Sequence, residues 1–438
     1  MKILLLGSGG REYAIAQKLV SSTTGVDLFV APGSDAIYEF GTCLPFGAES
    51  VELIEWASAN RPDFVVIGPE APLVNGIADE LSDLGIPVFG HPSATSRLEG
   101  SKSFAKNFMF RHGIPCAFSE TTNNFSTGQA IIKDWRCNYP IVLKADGLAA
   151  GKGVVLAQTE SEALATLKLF LDGQYGEASR TVVIEEPLFG MELSLHVLVD
   201  VNADHANFCI LPACQDHKRI FEGDLGPNTG GMGAFAPIPF LRPEDMGRMK
   251  EELVEPTIVG MQKDGLEGRG VLFLGVMWTA DGPKILEYNV RFGDPETQVL
   301  MQLLDEDLPT LLHSIATHHL KRDEVSIKRD TALCVVLAAK GYPDSPQKGS
   351  LIDIKSPTCS VIYAGTKKTA EGWIVDGGRV LNLIAQAKDL ETARDMVRSD
   401  LEKKQIAWPE MQVRWDIGLK ALNHATANKT VADCWTPP

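Results

Sequence analysis

The sequence predicts an α/β protein in three parts: an N-terminal parallel βαβ domain (1–100), a central α+β domain of two subdomains (101–325, with a glycine-loop lid at about 120–190), and a small C-terminal α+β domain (326–420) followed by a tail (421–438). Three observations support this. The first hundred residues alternate short apolar runs with helix-like stretches. Past Tyr139 the rhythm changes to strand, glycine loop, strand, helix, strand. After Thr331 short strands and one amphipathic helix resume. A chain of 438 residues is also too long for one ordinary core.

In order along the chain, Lys2–Leu6 reads as a buried strand, Arg11–Val20 as a helix, and Asp27–Val30, Phe64–Ile67 and Pro87–Phe89 as further strands. Ligands in such sheets bind at the C-terminal strand edges, where Gly7–Gly10 and Gly68-Pro69-Glu70 fall. A lysine-bearing helix is expected at Ser101–His112, and long strands with glycine-rich connections from Asp204 to Arg291. Residues 294–322 read as helical, with Asp294 as N-cap, Pro295 in the first turn and apolar spacing over Thr297–Leu312. The last block offers strands at Ala332–Ala339 and Val361–Tyr363 and a helix near Leu390–Lys404. The tail after about Lys420 is expected to be poorly ordered.

The net charge of −16 argues against a broad nucleic-acid surface, which needs clustered Lys and Arg, but leaves small phosphorylated substrates open. The eight cysteines (Cys43, Cys116, Cys137, Cys209, Cys214, Cys334, Cys359 and Cys434) form no C-x-x-C and no metal-site spacing with His, so reduced thiols are expected. No apolar run is long enough for a signal peptide or a membrane span, so a cytoplasmic protein is expected.

Four segments carry the chemistry. Gly7-Ser8-Gly9-Gly10-Arg11-Glu12 joins a strand to a helix, where amides and a helix N-terminus can bind a phosphate. Glu12 occupies the place of the third glycine of a dinucleotide fingerprint, which weakens that reading. A plain tight turn is the competing interpretation; Gly33 and Gly68-Pro69-Glu70 at the same edge favour a ligand site. Next, Pro140–Lys144, the loop Ala145–Gly153 and Val154–Ala157 form strand, glycine loop and strand. That is not a P-loop, which leads into a helix, but it suits a flap able to close over a triphosphate, with Lys144 as a point charge; an ordinary hairpin with surface lysines is the alternative. Third, the strand Val182–Glu185 ends in Glu185-Glu186-Pro187-Leu188, a hinge whose backbone could meet an adenine edge, with Glu192 suited to ribose hydroxyls; two solvated glutamates are the alternative. In Lys284–Arg291, alternation puts Glu287, Asn289 and Arg291 on one face. A carboxylate and an amide oxygen two residues apart suit Mg²⁺, and Arg291 suits bidentate capture of a carboxylate or phosphate. A merely polar outer strand face is the alternative.

Together these residues, in this order, resemble the ATP-grasp superfamily, and more finely the phosphoribosylamine–glycine ligase family. The finer likeness rests on Gly7–Glu12, Gly68–Leu73, Lys144–Gly153, Gln215-Asp216-His217-Lys218-Arg219, Gly226-Pro227-Asn228-Thr229-Gly230-Gly231-Met232-Gly233-Ala234 and Asn289–Gln298, continuing through Ala364-Gly365-Thr366 and Gly377–Leu381. The sequence departs from the family pattern at Tyr13, where the family has histidine, and at Ala31–Asp35, where it has Pro-Gly-Asn; both lie near the expected phosphoribosylamine pocket. Gly270–Ala280 also lacks the acid that many ATP-grasp enzymes carry there.

The resemblance implies a central ATP-grasp domain and an ATP-dependent ligase that joins glycine to 5-phosphoribosylamine, through a glycyl phosphate, in purine biosynthesis. It implies ATP contacts at Lys102, Lys144, Gly147, Gly151, Lys152, Gly153, Glu185, Pro187, Leu188 and Glu192, and Mg²⁺ (or Mn²⁺) on Glu287 and Asn289. It implies substrate contacts at Gly9, Gly10, Arg11, Glu70, Asp216, His217, Lys218, Asn228, Thr229, Gly230 and Arg291, with Arg291 and Lys144 catalytic. His217 also reads as a hydrogen-bonded structural residue. Glycine and 5-phosphoribosylamine would be its small-molecule partners, with no nucleic acid and no membrane, and a monomer is expected. Two rivals are a different ATP-grasp ligase, against which Asp216–Arg219 and Gly226–Ala234 speak, and a nucleotide sensor without turnover, which would not need the metal-and-arginine strand.

Overall fold

The computed structural model describes residues 1–135, 139–149, 152–321 and 323–426. Gly151, Cys137, Cys434 and residues 427–438 of the expected tail lie outside them.

The N-terminal sheet is parallel, with Lys2–Gly7 at its centre, Asp27–Pro32 and Thr42–Cys43 on one side and Phe64–Ile67 and Val88–Phe89 on the other. Its strands are buried on both faces, as parallel strands covered by helices must be. Strand order reverses between Lys2–Gly7 and Phe64–Ile67, so a crevice opens where Gly7 and Gly68 leave the sheet. Glu12 fills that corner. Its Oε2 accepts from the Gly9 N–H at 2.7 Å, and a Cβ on Gly7 or Gly68 would meet its side chain at 2.5 Å or 2.1 Å. Glycine at both positions is therefore a steric requirement set by Glu12.

The lid is an antiparallel sheet ordered Ser119–Thr122, Val182–Glu185, Ile141–Ala145, Val154–Ala157, backed by the helices Phe125–Lys133 and Glu160–Leu171. It owns a separate apolar core that includes Ile132, Leu143, Leu167, Phe170 and Ile184. The central sheet runs Ala206–Ile210, Met191–Val201, Gly268–Thr279, Gly282–Asn289. The C-terminal sheet is not built from the last block alone: Gln215–Asp216 and Gly233–Ala236 pair onto Thr331–Ala338, followed by Arg379–Ala387 and Ser360–Tyr363.

Three expectations are corrected. Residues 294–322 hold two helices, Glu296–Leu303 and Leu308–Ala316, because Asp307 caps a second start by accepting from the Thr310 N–H; Pro295, not Asp294, is the first N-cap residue. Helical segments at Pro243–Met249, Lys250–Val254 and Glu255–Lys263 run on without a break through a stretch expected to be strands and loops; Pro243 sits at the start, where a missing N–H costs nothing, and Pro256 follows just after the π turn Lys250–Val254. Leu419–Thr426, expected in the poorly ordered tail, is a helix.

Two histidines seal the junction between the N-terminal and central sheets. His91 is fully buried with Nε2 at 2.9 Å from the Val271 carbonyl. His196 stacks on Phe273 and accepts from the Gly293 N–H at 3.0 Å. Burial holds His91 down at about 4, and burial with Arg291 nearby holds His196 down at about 3. Both are neutral when folded but charge at about pH 6.5 when unfolded. The unfolded chain thus takes up more protons below that pH, and stability is lost as pH falls from about 6.5 toward 4. We predict that the urea midpoint declines between pH 7 and 5, and that His91→Gln, which keeps the donor to Val271, shows a shallower decline; an unchanged slope would count against the buried neutral imidazole.

Candidate functional site

Arg291 follows the strand Gly282–Asn289 and is gripped by oxygen atoms from three segments. Its Nε lies 3.2 Å from Glu70 Oε2, one Nη lies 3.2 Å from Glu99 Oε1, and the same nitrogen lies 3.3 Å from Asn289 Oδ1. Arg291 and Asn289 thus share a side, as alternation predicts, while Tyr288 points the other way and meets the Thr257 hydroxyl at 2.7 Å. Burial pushes the Glu99 carboxyl up, whereas Arg291 and Arg11 outweigh burial at Glu70 and hold its pKa down. Glu99 also accepts from the Val290 N–H at 2.7 Å. Arg11, at the start of the first helix, donates to the Phe292 carbonyl at 2.8 Å and lies 3.8 Å from Glu70. The edge of the parallel sheet and the end of the strand Gly282–Asn289 are therefore one surface.

Beside it, Glu287 faces a group of cations. Burial alone would raise its carboxyl, but Lys218, Lys144, Lys102 and Arg291 outweigh that and keep it ionised. Lys144 comes from the lid and donates to the Leu286 carbonyl at 3.4 Å, so the lid strand and the Glu287 strand meet directly. Glu185 is not a solvated hinge glutamate: it is buried, 2.9 Å from Lys144 and 3.4 Å from Lys106. Lys102 starts its helix and donates to the Gly147 carbonyl at 3.1 Å; burial pushes its pKa down. Lys218 forms an ion pair with Glu192, which joins it to the side of Lys144 and Glu287.

The flap is a hairpin between paired strands, not the opening of a helix. The Gly147 N–H donates to the Ala178 carbonyl at 2.9 Å, the Gly153 carbonyl accepts from Ala145 at 2.8 Å, and Lys152 is exposed with its carbonyl bonded to Tyr175. After Glu185 the chain leaves the strand. The Glu186 backbone N–H donates to the Phe118 carbonyl at 3.0 Å, and Pro187 and Leu188 are half-buried.

Around Gln215–Arg219, Asp216 and Glu296 lie close together; burial and Glu296 raise the Asp216 carboxyl well above its ordinary range, against the pull of Lys218. Ser194 donates to Glu296 at 2.9 Å. Thr229 folds onto the Lys218 carbonyl at 2.7 Å, Asn228 is exposed, and Arg379 donates to the carbonyls of Gly230 at 2.7 Å and Asp294 at 2.6 Å. His217 instead turns into the protein: it is buried, its Nε2 accepts from the Gly418 N–H at 3.3 Å, and burial with Arg414 nearby holds it at about 4. At the first loop, the Gly9 N–H is already committed to Glu12, and Gly10 packs within contact of Asn382 and Gln298. Tyr13, the departure from the family pattern, is buried and donates to Glu39 at 2.5 Å. Asp35 accepts from the Lys368 N–H at 2.8 Å, across to the C-terminal sheet.

Sequence reasoning missed Glu99, Lys106 and Glu296. Each sits on a helix far along the chain from its partner; Glu296 lies inside the Asn289–Gln298 motif without a role read for it, and Glu99 and Lys106 have no motif around them.

Residues 1–99, 100–297 and 332–420 match the families described as phosphoribosylglycinamide synthetase, N domain, ATP-grasp (A) domain and C domain. The chain is 44% identical to a phosphoribosylamine–glycine ligase of Brucella melitensis, over 98% of this chain and 100% of that protein. It is 43% identical to one of Agrobacterium fabrum, over 96% and 99%. Among solved structures it resembles phosphoribosylamine–glycine ligase from Thermotoga maritima at a TM-score of 0.82 and 34% identity, covering 95% of this chain and all of that one. A biotin carboxylase of Campylobacter jejuni shares the fold at a TM-score of 0.75 and 15% identity, covering 99% of this chain and 98% of that one.

Removing Glu185 leaves two buried lysines facing each other. We predict that Glu185→Ala lowers unfolding free energy by about 3–5 kcal/mol, the cost of breaking one partner out of a buried ion pair. Urea unfolding measures this, and a loss under about 1 kcal/mol would show that the two lysines are not held by Glu185.

Proposed function

The chain belongs to the phosphoribosylglycinamide synthetase family, an ATP-dependent ligase that joins glycine to phosphoribosylamine in purine biosynthesis, and from that premise we propose how its residues divide the work. The single observation that carries the proposal is the meeting of lid and central sheet at Lys144 and Leu286, beside an ionised Glu287.

In this reading glycine's carboxylate oxygen attacks the γ-phosphorus of ATP and ADP leaves. The phosphoribosylamine nitrogen then attacks the acyl carbon, the tetrahedral adduct collapses, phosphate leaves, and the nitrogen gives its proton to solvent. A carboxylate is a poor acyl donor, and the acyl phosphate supplies the leaving group it lacks. Lys144, Lys102 and Lys152 neutralise the triphosphate, and the flap amides at Gly147, Gly151 and Gly153 excludes water that would hydrolyse the intermediate. The separate core of the lid supports its moving as a unit. Glu185, Pro187, Leu188 and Glu192 line the nucleoside.

Arg291 holds glycine's carboxylate and then the oxyanion; Glu99 and Asn289 fix its fork, so they act as positioning residues. Asp216 takes the ammonium of glycine, with Glu296 beside it. Asn228, Thr229, Gly230 and Lys218 border the same space. Gly9, Gly10, Arg11 and Glu70 receive the phosphoribosyl group, with the helix N-terminus providing the amides that Glu12 leaves free.

Glu287 and Asn289 fit a hard divalent cation, Mg²⁺ or Mn²⁺: one is a half-buried carboxylate kept ionised by the cations around it, the other a buried amide oxygen. Bound there, the cation would neutralise charge on the transferring phosphoryl group. The functional division falls near residues 100 and 325, and the protein acts as a cytoplasmic monomer. Among the described residues no helix is long and apolar enough to cross a membrane.

We predict that ¹⁸O placed in glycine's carboxylate appears in the released phosphate, and that phosphate release requires both glycine and phosphoribosylamine. Unlabelled phosphate would overturn the acyl-phosphate route. Glu287→Gln should lower kcat by at least about 10²-fold while the variant still folds, as circular dichroism would show; ordinary turnover in that variant would remove Glu287 from the metal site.

A further inference from the structure

Far from the ligase site, at the other end of the strand Met191–Val201, a second cluster of metal-ligating side chains converges. Glu192 and Asp200 are separated by eight residues of strand, about 26 Å at roughly 3.3 Å per residue. Asp200 is fully buried, and its Oδ2 is fixed by the Leu320 N–H at 3.0 Å. Its other oxygen faces His205 Nε2 at 2.9 Å and His318 Nδ1 at 2.6 Å. One donor atom from each of the three residues lies within 4.8 Å of the others. Ligands about 2.1 Å from a shared tetrahedral ion sit about 3.4 Å apart, so each imidazole need move away from the Asp200 oxygen by less than about 1 Å to admit one.

We propose that Asp200, His205 and His318 bind a late first-row divalent cation, of which Zn²⁺ is the type. Two imidazoles and a carboxylate are borderline donors that suit such an ion better than Mg²⁺. The surroundings support the assignment. The second ring nitrogen of His318 meets Glu267 Oε1 at 3.1 Å, the carboxylate behind a ligating histidine that fixes its tautomer and orientation. His205 is presented by a preformed turn, in which Asn202 Oδ1 accepts from the Asp204 and His205 amides at 2.8 and 3.1 Å. His318 adopts φ +57°, a left-handed conformation uncommon outside glycine, just past the helix Leu308–Ala316. Both imidazoles are partly exposed, at 28% and 25%, which leaves a route for the ion and room for water as a fourth ligand. The ion would tie the strand end, the Asn202–His205 turn and the segment after Ala316 to one point. The ligase reading is not needed for this proposal.

The test titrates chelator-stripped full-length protein with Zn²⁺ against a chromophoric competitor, in saturating Mg²⁺ so that the ligase site is occupied. One Zn²⁺ per chain is expected. His205→Ala, and His318→Asn, which keeps a residue tolerant of positive φ, should each weaken binding at least 10-fold, Glu267→Gln should weaken it about 10-fold, and Glu287→Gln should leave it unchanged. No stoichiometric uptake, uptake undiminished in both histidine variants, or uptake lost in Glu287→Gln would each overturn the proposal.

Discussion

The site depends on where Arg291 is held. Its guanidinium takes oxygens from Glu70 at the edge of the parallel sheet, from Glu99 on the next helix, and from Asn289 two residues upstream. A planar fork with several donors fixes the directions in which its partners must lie, which a freely rotating ammonium does not. Arg291 therefore ties the N-terminal and central sheets together at the site, alongside the buried His91 contact to Val271. A substrate carboxylate arriving there meets a cation whose orientation has already been set, so little ordering remains at the moment of binding.

The second organising constraint is charge balance. Lys144 and Lys106 are buried and Lys102 and Lys218 half-buried around the same space, and Glu185, Glu192 and Glu287 hold them there. Lys144 sits between two of these carboxylates, and their pull outweighs the burial that would otherwise strip its proton. Such a cluster tolerates an incoming polyanion because the lysines are already charged and already close. It also gives the lid strand a polar attachment to the central sheet, while the lid keeps its apolar interior to itself.

Local pattern made much of this legible. Strand and helix periodicity placed four of the five strands of the parallel sheet to within a residue or two and missed Thr42–Cys43, too short to show a period, and alternation along Lys284–Arg291 put Asn289 and Arg291 on one side. What escaped was whatever is decided between distant segments. Glu185 reads as a solvated strand end until Lys106 comes against it from another helix. Glu99 has no motif around it. The two helices after Gly293 look like one because the apolar spacing runs on through Leu304–Asp307, and only Asp307 as a cap divides them. The C-terminal sheet draws on Gln215–Asp216 and Gly233–Ala236, strands too short for any periodicity to register. His217 sits among polar neighbours in sequence, yet lies buried against Phe235 and Gly418.

Glu12 occupies the corner that two bare α-carbons leave open, at Gly7 and Gly68. Those three positions therefore constrain the order in which the chain can change. A side chain at 7 or 68 is inadmissible while Glu12 stands, whereas shortening residue 12 first opens room at Gly68, though Gly7, at φ +123°, stays restricted by its backbone. Once position 68 has filled, glutamate cannot return to 12. The corner works as a ratchet on sequence drift, so descendants of this chain that lose the glutamate should diverge at residue 68 and not regain it.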